Sequence, residues 1–164
     1  MSADDPRVRE LVTKLELAAH PEGGFFREIF RSPHTVTPDD GRPRRSALTV
    51  IHFLLPTGAH SRWHEVRSDE QWTFLEGAPL ELLVLEQGAT TVQRIRLGPL
   101  SVGATPTAIV PAGAWQATRA GETHGLVTCT VGPGFDFVDF RLLAGDSKAQ
   151  ERIAVVAPEL VELL

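Results

Sequence analysis

The chain has no tyrosine, one cysteine and one methionine among 164 residues. Without tyrosine no phenol is on hand to give or take a proton, so acid–base chemistry falls to histidine and carboxylates. The lone Cys129 excludes an intrachain disulfide and fits a reducing cytoplasm, where we expect the protein. It sits in an apolar run, LVTCTV, as a buried small hydrophobe does; nothing basic is near it to make a reactive thiolate. Positive charge is the scarcer sign, with 16 Lys and Arg against 21 Asp and Glu, a net charge of -5 and a pI of about 5.7. Nucleic acid and anionic membrane are therefore not expected as partners. The densest basic stretch, Arg42 to Arg45 (RPRR), lies among Pro and Gly and is expected to be a solvated loop tip. No segment reaches the ~18 consecutive apolar residues of a membrane helix. The start, MSADDPRV, carries acids where a signal peptide carries bases, so no signal peptide is expected. There is no internal repeat and no low-complexity segment.

What is present is the composition of one globular domain, 42% hydrophobic and 23% charged. We expect a single domain over 1–164, with a helix at about 5–18, a β core at about 22–142 and a helical segment at about 145–164. Asp5 caps the first helix, Pro6 suits its first turn, and Val8, Leu11, Val12 and Leu15 make its apolar stripe. From Gly24 to Leu142 short apolar or alternating runs are separated by Gly-bearing or polar turns. The expected strands are Gly24 to Arg31, Ser46 to Leu55, Arg62 to Arg67, Glu70 to Glu76, Leu80 to Glu86, Thr91 to Leu97, Ala108 to Val110, Gln116 to Ala120, His124 to Val131 and Phe135 to Leu142. Ser46 to Leu55 is apolar enough to be covered on both faces. Many short strands at this spacing predict an all-β jelly roll. Pro158 starts a last helical turn, PELVELL.

The stretch Gly58 to Gly77 has the spacing Gly, five residues, His64, one residue, Val66, three residues, Glu70, six residues, Gly77. It resembles the first cupin motif, with Val66 where that motif has a second His. Pro111-Ala112-Gly113 followed by Gln116 resembles the core of the second, with Gln116 in place of its His. The segments HPEGGFFRE (from His20), Ser61-Arg62-Trp63-His64, Ser68-Asp69-Glu70, Val110 to Gln116 and Pro133-Gly134-Phe135 through Phe140 resemble a narrower family, often called cupin five. The resemblance runs from about His20 to Pro158. Thr73 stands where that family commonly has His, and His52 where it commonly has Tyr. The resemblance implies a double-stranded β-helix barrel, commonly a homodimer, with a pocket inside; it implies no particular reaction.

Residues alternate along a strand, so His64 and Val66 share one face, as do Glu70, Trp72 and Phe74. A divalent metal, if bound, is expected on His64, Glu70 and Gln116. Val66 is no ligand and a neutral amide is a poor donor for zinc or iron, so the favoured expectation is that no cofactor is required. The competing use is proton transfer by His64, which titrates near neutrality, oriented by Glu70 or Asp139. Metal-independent deoxysugar epimerases of the cupin superfamily pair such a His with a Tyr donor, which this chain lacks. Candidate substrate-binding groups are Arg27, Glu28, His52, Ser61, Trp72 and Gln116; Arg27 would fork onto a carboxylate or phosphate, with a structural Arg27–Glu28 ion pair as the other reading. Three readings stand open: an isomerase or epimerase-like enzyme on a small polar or sugar-like carbonyl compound, a non-catalytic metabolite-binding barrel, and a metal-dependent enzyme.

Overall fold

A computed structural model describes residues 5–163. Helix α1 (Pro6–Lys14) opens the chain, followed by strands β1 (Ala18–Ala19), β2 (Phe25–Arg31), β3 (Thr35–Val36), β4 (Arg45–Ser46) and β5 (Thr49–Leu55). Then come β6 (His64–Val66), β7 (Asp69–Gly77), β8 (Leu80–Leu85), β9 (Gln93–Leu97) and β10 (Thr107–Val110). The series ends with β11 (Trp115–Arg119), β12 (Gly125–Gly132), β13 (Phe140–Leu142) and helix α2 (Ser147–Val156). A 3-10 segment, Pro158–Leu163, follows α2.

The strands form two main antiparallel sheets, in the orders β1-β2-β5-β12-β7-β10 and β13-β6-β11-β8-β9, with β3 and β4 as a small separate pair. This is the mostly β jelly roll that the strand spacing predicts. The facing sides of the two sheets build one core: Phe53 and Leu55 from β5, Trp72 from β7, Leu80, Leu82 and Val84 from β8, Val110 from β10 and Val127 from β12. Removing each such side chain from water stabilises the fold by about 1.5–3 kcal/mol before the entropy of ordering it is counted. Outside the first sheet, Val8, Leu11 and Leu17 pack on Leu54 and Leu126. Outside the second, Trp63, Leu83, Leu85, Trp115 and Ala117 are covered by Ile153, Ala157, Leu160 and Leu163. The two ends of the chain thus close the outer faces and leave the space between the sheets to the site.

Four sequence expectations differ from the structure. Helix α1 stops at Lys14, not near residue 18: Glu16 takes a positive φ of 52°, and Ala18–Ala19 pairs with Phe25–Phe26 instead. Strand β5 begins at Thr49, and its outer face is covered only in part: Leu54 lies under α1, while Val50 and His52 are half-buried. Phe135 to Leu142 is not one strand. Asp136 accepts the Val138 N–H and turns Phe137–Asp139 into a short 3-10 helix, leaving only Phe140–Leu142 extended. Arg42 and Arg45 are not solvated; both are buried against Asp139. The segment MSAD, where a signal peptide was weighed, lies outside the described residues, and no described helix is long and apolar enough to cross a membrane.

Candidate active site

One end of the barrel holds a cavity of about 290 Å³, at the small end of ligand-binding size. Its polar floor is made by Glu22, His64 and Glu70, and apolar side chains of β5, β6 and β12 form the walls.

Glu22 comes from the loop between β1 and β2. That loop is bent back on itself, with the His20 N–H donating to Gly24 O and the Gly23 N–H to His20 O. It is tied to the segment before β6 by the Arg62 N–H on Glu22 O, 2.6 Å, and by the Arg62 guanidinium on Pro21 O. Gly23 and Gly24 both have positive φ, 107° and 72°, and a Cβ there would come within 2.8 Å of His60 O and 2.6 Å of Leu54 O. Only glycine allows this close approach, and it is the approach that lowers the Glu22 side chain into the barrel.

His64 opens β6, where alternation turns His64 and Val66 toward the cavity and leaves Glu65 outside with Arg141. Its Nδ1 lies 2.8 Å from Arg62 O. A carbonyl only accepts, so Nδ1 carries a proton, and Nε2 is the position that can be bare. Nε2 is 3.1 Å from Glu22 Oε2. Burial pushes His64 down to about 4. Burial, together with the nearby Glu70, pushes Glu22 well above the usual carboxylate range. The pair therefore holds one proton on the Oε2···Nε2 line and carries no net charge, the cheap state for a buried couple. His20 sits 3.6 Å from the same carboxyl oxygen, and burial lowers it to about 4 as well.

Glu70 enters from β7 on the inward face it shares with Trp72 and Phe74. Burial raises it to about 7, against hydrogen bonds from Gln116 and the Cys129 thiol that favour the charged form. Gln116 is held at both ends. Its Nε2 donates to Glu70 Oε2 at 2.6 Å, and its Oε1 accepts from Trp72 Nε1 at 3.0 Å. The Trp72–Gln116–Glu70 chain joins the two sheets across the barrel and commits one lone pair of the amide oxygen to the Trp72 N–H.

These contacts bear on how the cupin ligand positions would serve a metal. Val66 has no donor, the Gln116 oxygen accepts from Trp72, and His64 Nε2 is turned to Glu22. Among the described residues no three His, Cys, Asp or Glu side chains are grouped to hold an ion. The donor set does not fit a tight divalent site.

The remaining sequence candidates divide between cavity and surface. Glu28 lines the cavity and binds Arg31, with Nε–Oε1 at 2.9 Å and Nη2–Oε2 at 2.7 Å. Arg27, its neighbour, points out of the sheet to Glu16 and the Leu15 carbonyl. His52 pairs with Arg27 in register and shares that outer face. Ser61 is fully buried and accepts the Thr118 N–H, which serves the backbone rather than a ligand. Asp139 lies away from His64. Its carboxylate takes a fork from Arg45, at 2.8 and 3.1 Å, and a third bond from Arg42 at 3.1 Å. His64 has the ring of Phe140 beside it instead, at 5.5 Å. Cys129 is buried as read, and its thiol faces the floor beside Glu70.

Sequence reasoning did not single out His20, Glu22, Arg31 or Asp136. The first two lay inside the HPEGG segment used only for the family resemblance. Nothing in strand periodicity reaches them, because they stand in loops.

The fold has counterparts. The chain is 27% identical to the protein YML079W of Saccharomyces cerevisiae over 168 residues, covering 93% of this chain and 81% of that one. Among solved structures it is similar to a hypothetical protein from Leishmania major, with a TM-score of 0.79, 29% identity and 94% of each chain covered. It is also similar to protein SO0799 from Shewanella oneidensis, with a TM-score of 0.78, 32% identity and 94% of each chain covered. The family described as Cupin superfamily (DUF985), Cupin_5, matches over residues 9–143, most of the chain, and the protein belongs to it.

Proposed function

We propose that this cupin barrel is a metal-independent, isomerase- or epimerase-like enzyme that moves a proton on a small polar carbonyl compound. The observation that carries the reading is the buried Glu22–His64 pair, 3.1 Å apart, at the floor of a cavity beside Glu70. Glu70, raised to about 7, is matched to take a proton at neutral pH. The Glu22–His64 pair holds the proton that the substrate oxygen receives. In this scheme the C–H bond next to the carbonyl breaks, its electron pair becomes the C=C bond of an enol, and the oxygen gains the shared proton. Return of a proton to carbon from the other side or at the other carbon completes the isomerisation. His64 thereby keeps the acid–base role expected of it, but its carboxyl partner is Glu22. The two carboxyls with a pair-shared proton take the place of a tyrosine donor.

The proposal includes a homodimer in a reducing cytoplasm. Exposed Leu75 and Ile109 on the outer face of the six-stranded sheet support the dimer; a monomer mass in solution would count against it. A second reading, a non-catalytic metabolite-binding barrel, is favoured by the way Glu70 is already engaged by Gln116 and Cys129.

The test is proton exchange. A panel of small α-hydroxy and α-amino carbonyl compounds is incubated in D2O with the wild type and with His64→Asn, and deuterium uptake at carbon is followed by NMR. Uptake that disappears in His64→Asn supports the enzyme. Saturable binding without uptake supports the binding barrel.

A further inference from the structure

The upper part of the cavity has an unusual composition. Four phenylalanines, Phe26, Phe135, Phe137 and Phe140, line it with the imidazole of His20. The rings face one another edge to face: His20 to Phe26 at 4.5 Å, Phe135 to Phe137 at 5.0 Å, and Phe137 to Phe140 at 6.1 Å. Faces of aromatic rings are electron-rich, and a ring face left open to the cavity attracts a cation to within about 6 Å of its centroid.

The charges on the same wall point the same way. Of the acids that line the cavity, Glu22 is held neutral with His64 and Glu28 is balanced by Arg31, which leaves Glu70 and Asp136 as its sources of negative charge. Arg31 is spent: both its fork bonds go to Glu28, and its Nη2 also donates to Phe135 O at 3.1 Å. Arg62 approaches Glu22 from outside, with its guanidinium on the Pro21 carbonyl. Asp136 differs from the other acids. One oxygen accepts the Val138 N–H at 3.1 Å; the carboxylate makes no ion pair among the described residues, and Arg31 and Arg45 act on it from beyond ion-pair distance. A carboxylate beyond ion-pair distance of any described cation, at a cavity wall that also carries Phe135 and Phe137, is what an organic ammonium group needs. It is the opposite of what a phosphate, nucleotide or carboxylate ligand needs.

We propose that the cavity selects an organic cation: a small amino-carbonyl compound whose ammonium group lies among the phenylalanine rings against Asp136 and whose carbonyl end reaches Glu70 and the Glu22–His64 pair. This names the substrate class for the proton-transfer reading above and rests on that reading for the role of the carbonyl end. It also separates the protein from epimerases of nucleotide-linked sugars, whose diphosphates call for cationic walls.

The experiment uses three probes with one ring and different charge: benzyltrimethylammonium, benzyl alcohol and benzoate. Binding to the full chain is followed by calorimetry and by NMR at low and moderate salt. The expected result is saturable binding of the cation, at least roughly tenfold tighter than the alcohol, and none of benzoate. Asp136→Asn keeps an oxygen for the Val138 N–H, so the turn survives. It should weaken the cation roughly fivefold or more while leaving the alcohol where it was. Benzoate binding as well as the cation, no saturation by any probe, or a cation affinity unmoved in Asp136→Asn would each overturn the assignment. The two proposals fail separately. Preference for benzoate with deuterium uptake lost in His64→Asn removes the charge selection and leaves proton transfer. Preference for the cation with uptake retained in His64→Asn does the reverse.

Discussion

Glu22 Oε2 stands 3.1 Å from His64 Nε2, and His64 Nδ1 stands 2.8 Å from the Arg62 carbonyl. Because the carbonyl fixes the proton on Nδ1, the second ring nitrogen and the carboxyl must divide a single proton. Glu22→Gln replaces that shared proton with a permanent amide donor of the same shape. Deuterium uptake by a substrate should fall by about 10²–10⁴-fold with the fold intact, read by NMR exchange beside a thermal melt. Unchanged uptake would remove Glu22 from the chemistry.

Burial holds the folded Glu70 at about 7, against an ordinary carboxylate value near 4.5. A carboxyl with a raised folded pKa binds its proton more tightly when folded. Its contribution to stability is therefore full below the unfolded value and is lost as pH rises from there through about 7. Glu22 acts in the same direction. The loss assigned to Glu70 is at most about 3 kcal/mol. His20 and His64, both lowered to about 4, act in the opposite direction over the same window, so the Glu70 part is read as a difference: the melting temperature of the wild type relative to that of Glu70→Gln should fall as pH rises from 4.5 to 8. A slope that persists unchanged in the variant would assign it elsewhere.

Asp139 anchors the segment that carries Phe137 and Phe140 over the cavity, through three hydrogen bonds from Arg42 and Arg45. Burial alone would raise this carboxyl, but the Arg45 and Arg42 guanidiniums outweigh it and hold it below the usual range. The stability it supplies is present above the unfolded carboxylate pKa and is lost as pH falls through the folded one. Asp139→Asn leaves the buried Arg45 guanidinium without its countercharge, while Arg42 keeps Asp40, and should cost about 3–5 kcal/mol, measured by urea unfolding. A loss under 1 kcal/mol would show that water reaches the cluster.

The occupied Gln116 and the inert Val66 predict that chelation leaves the protein unchanged. Melting temperature should be the same before and after dialysis against EDTA. Val66→His combined with Gln116→His supplies imidazoles at both motif positions and should retain manganese or zinc through dialysis, read by elemental analysis. Stoichiometric metal in the dialysed wild type would overturn the donor argument.

Much of the barrel was legible because strand alternation is a local property. The pattern of β7 alone places Glu70, Trp72 and Phe74 on one face, and the structure keeps them there. Arg27 and Glu28 show the limit. They are adjacent, so one must point in and the other out, and only pairing with β5 decides which. Glu28 lines the cavity and Arg27 leaves the sheet with His52. Asp139 shows another limit: its expected place beside His64 went to Glu22, because two arginines from a loop read as solvated reach it first.

The sequence by itself determined the strand count in broad terms, the inward faces of β6 and β7, and the loss of the metal-ligand pattern at Val66 and Gln116. The first two rest on residue type and short-range spacing, the last on the resemblance to the cupin motifs. Only the tertiary structure decided which carboxyl meets His64, which acids line the cavity, and where Arg42 and Arg45 go. Each is a contact between segments far apart in the chain, brought together by a loop that two glycines allow to press against β5 and by a turn that Asp136 caps. No periodicity in one dimension encodes such meetings; they exist only once both sheets have closed around the cavity.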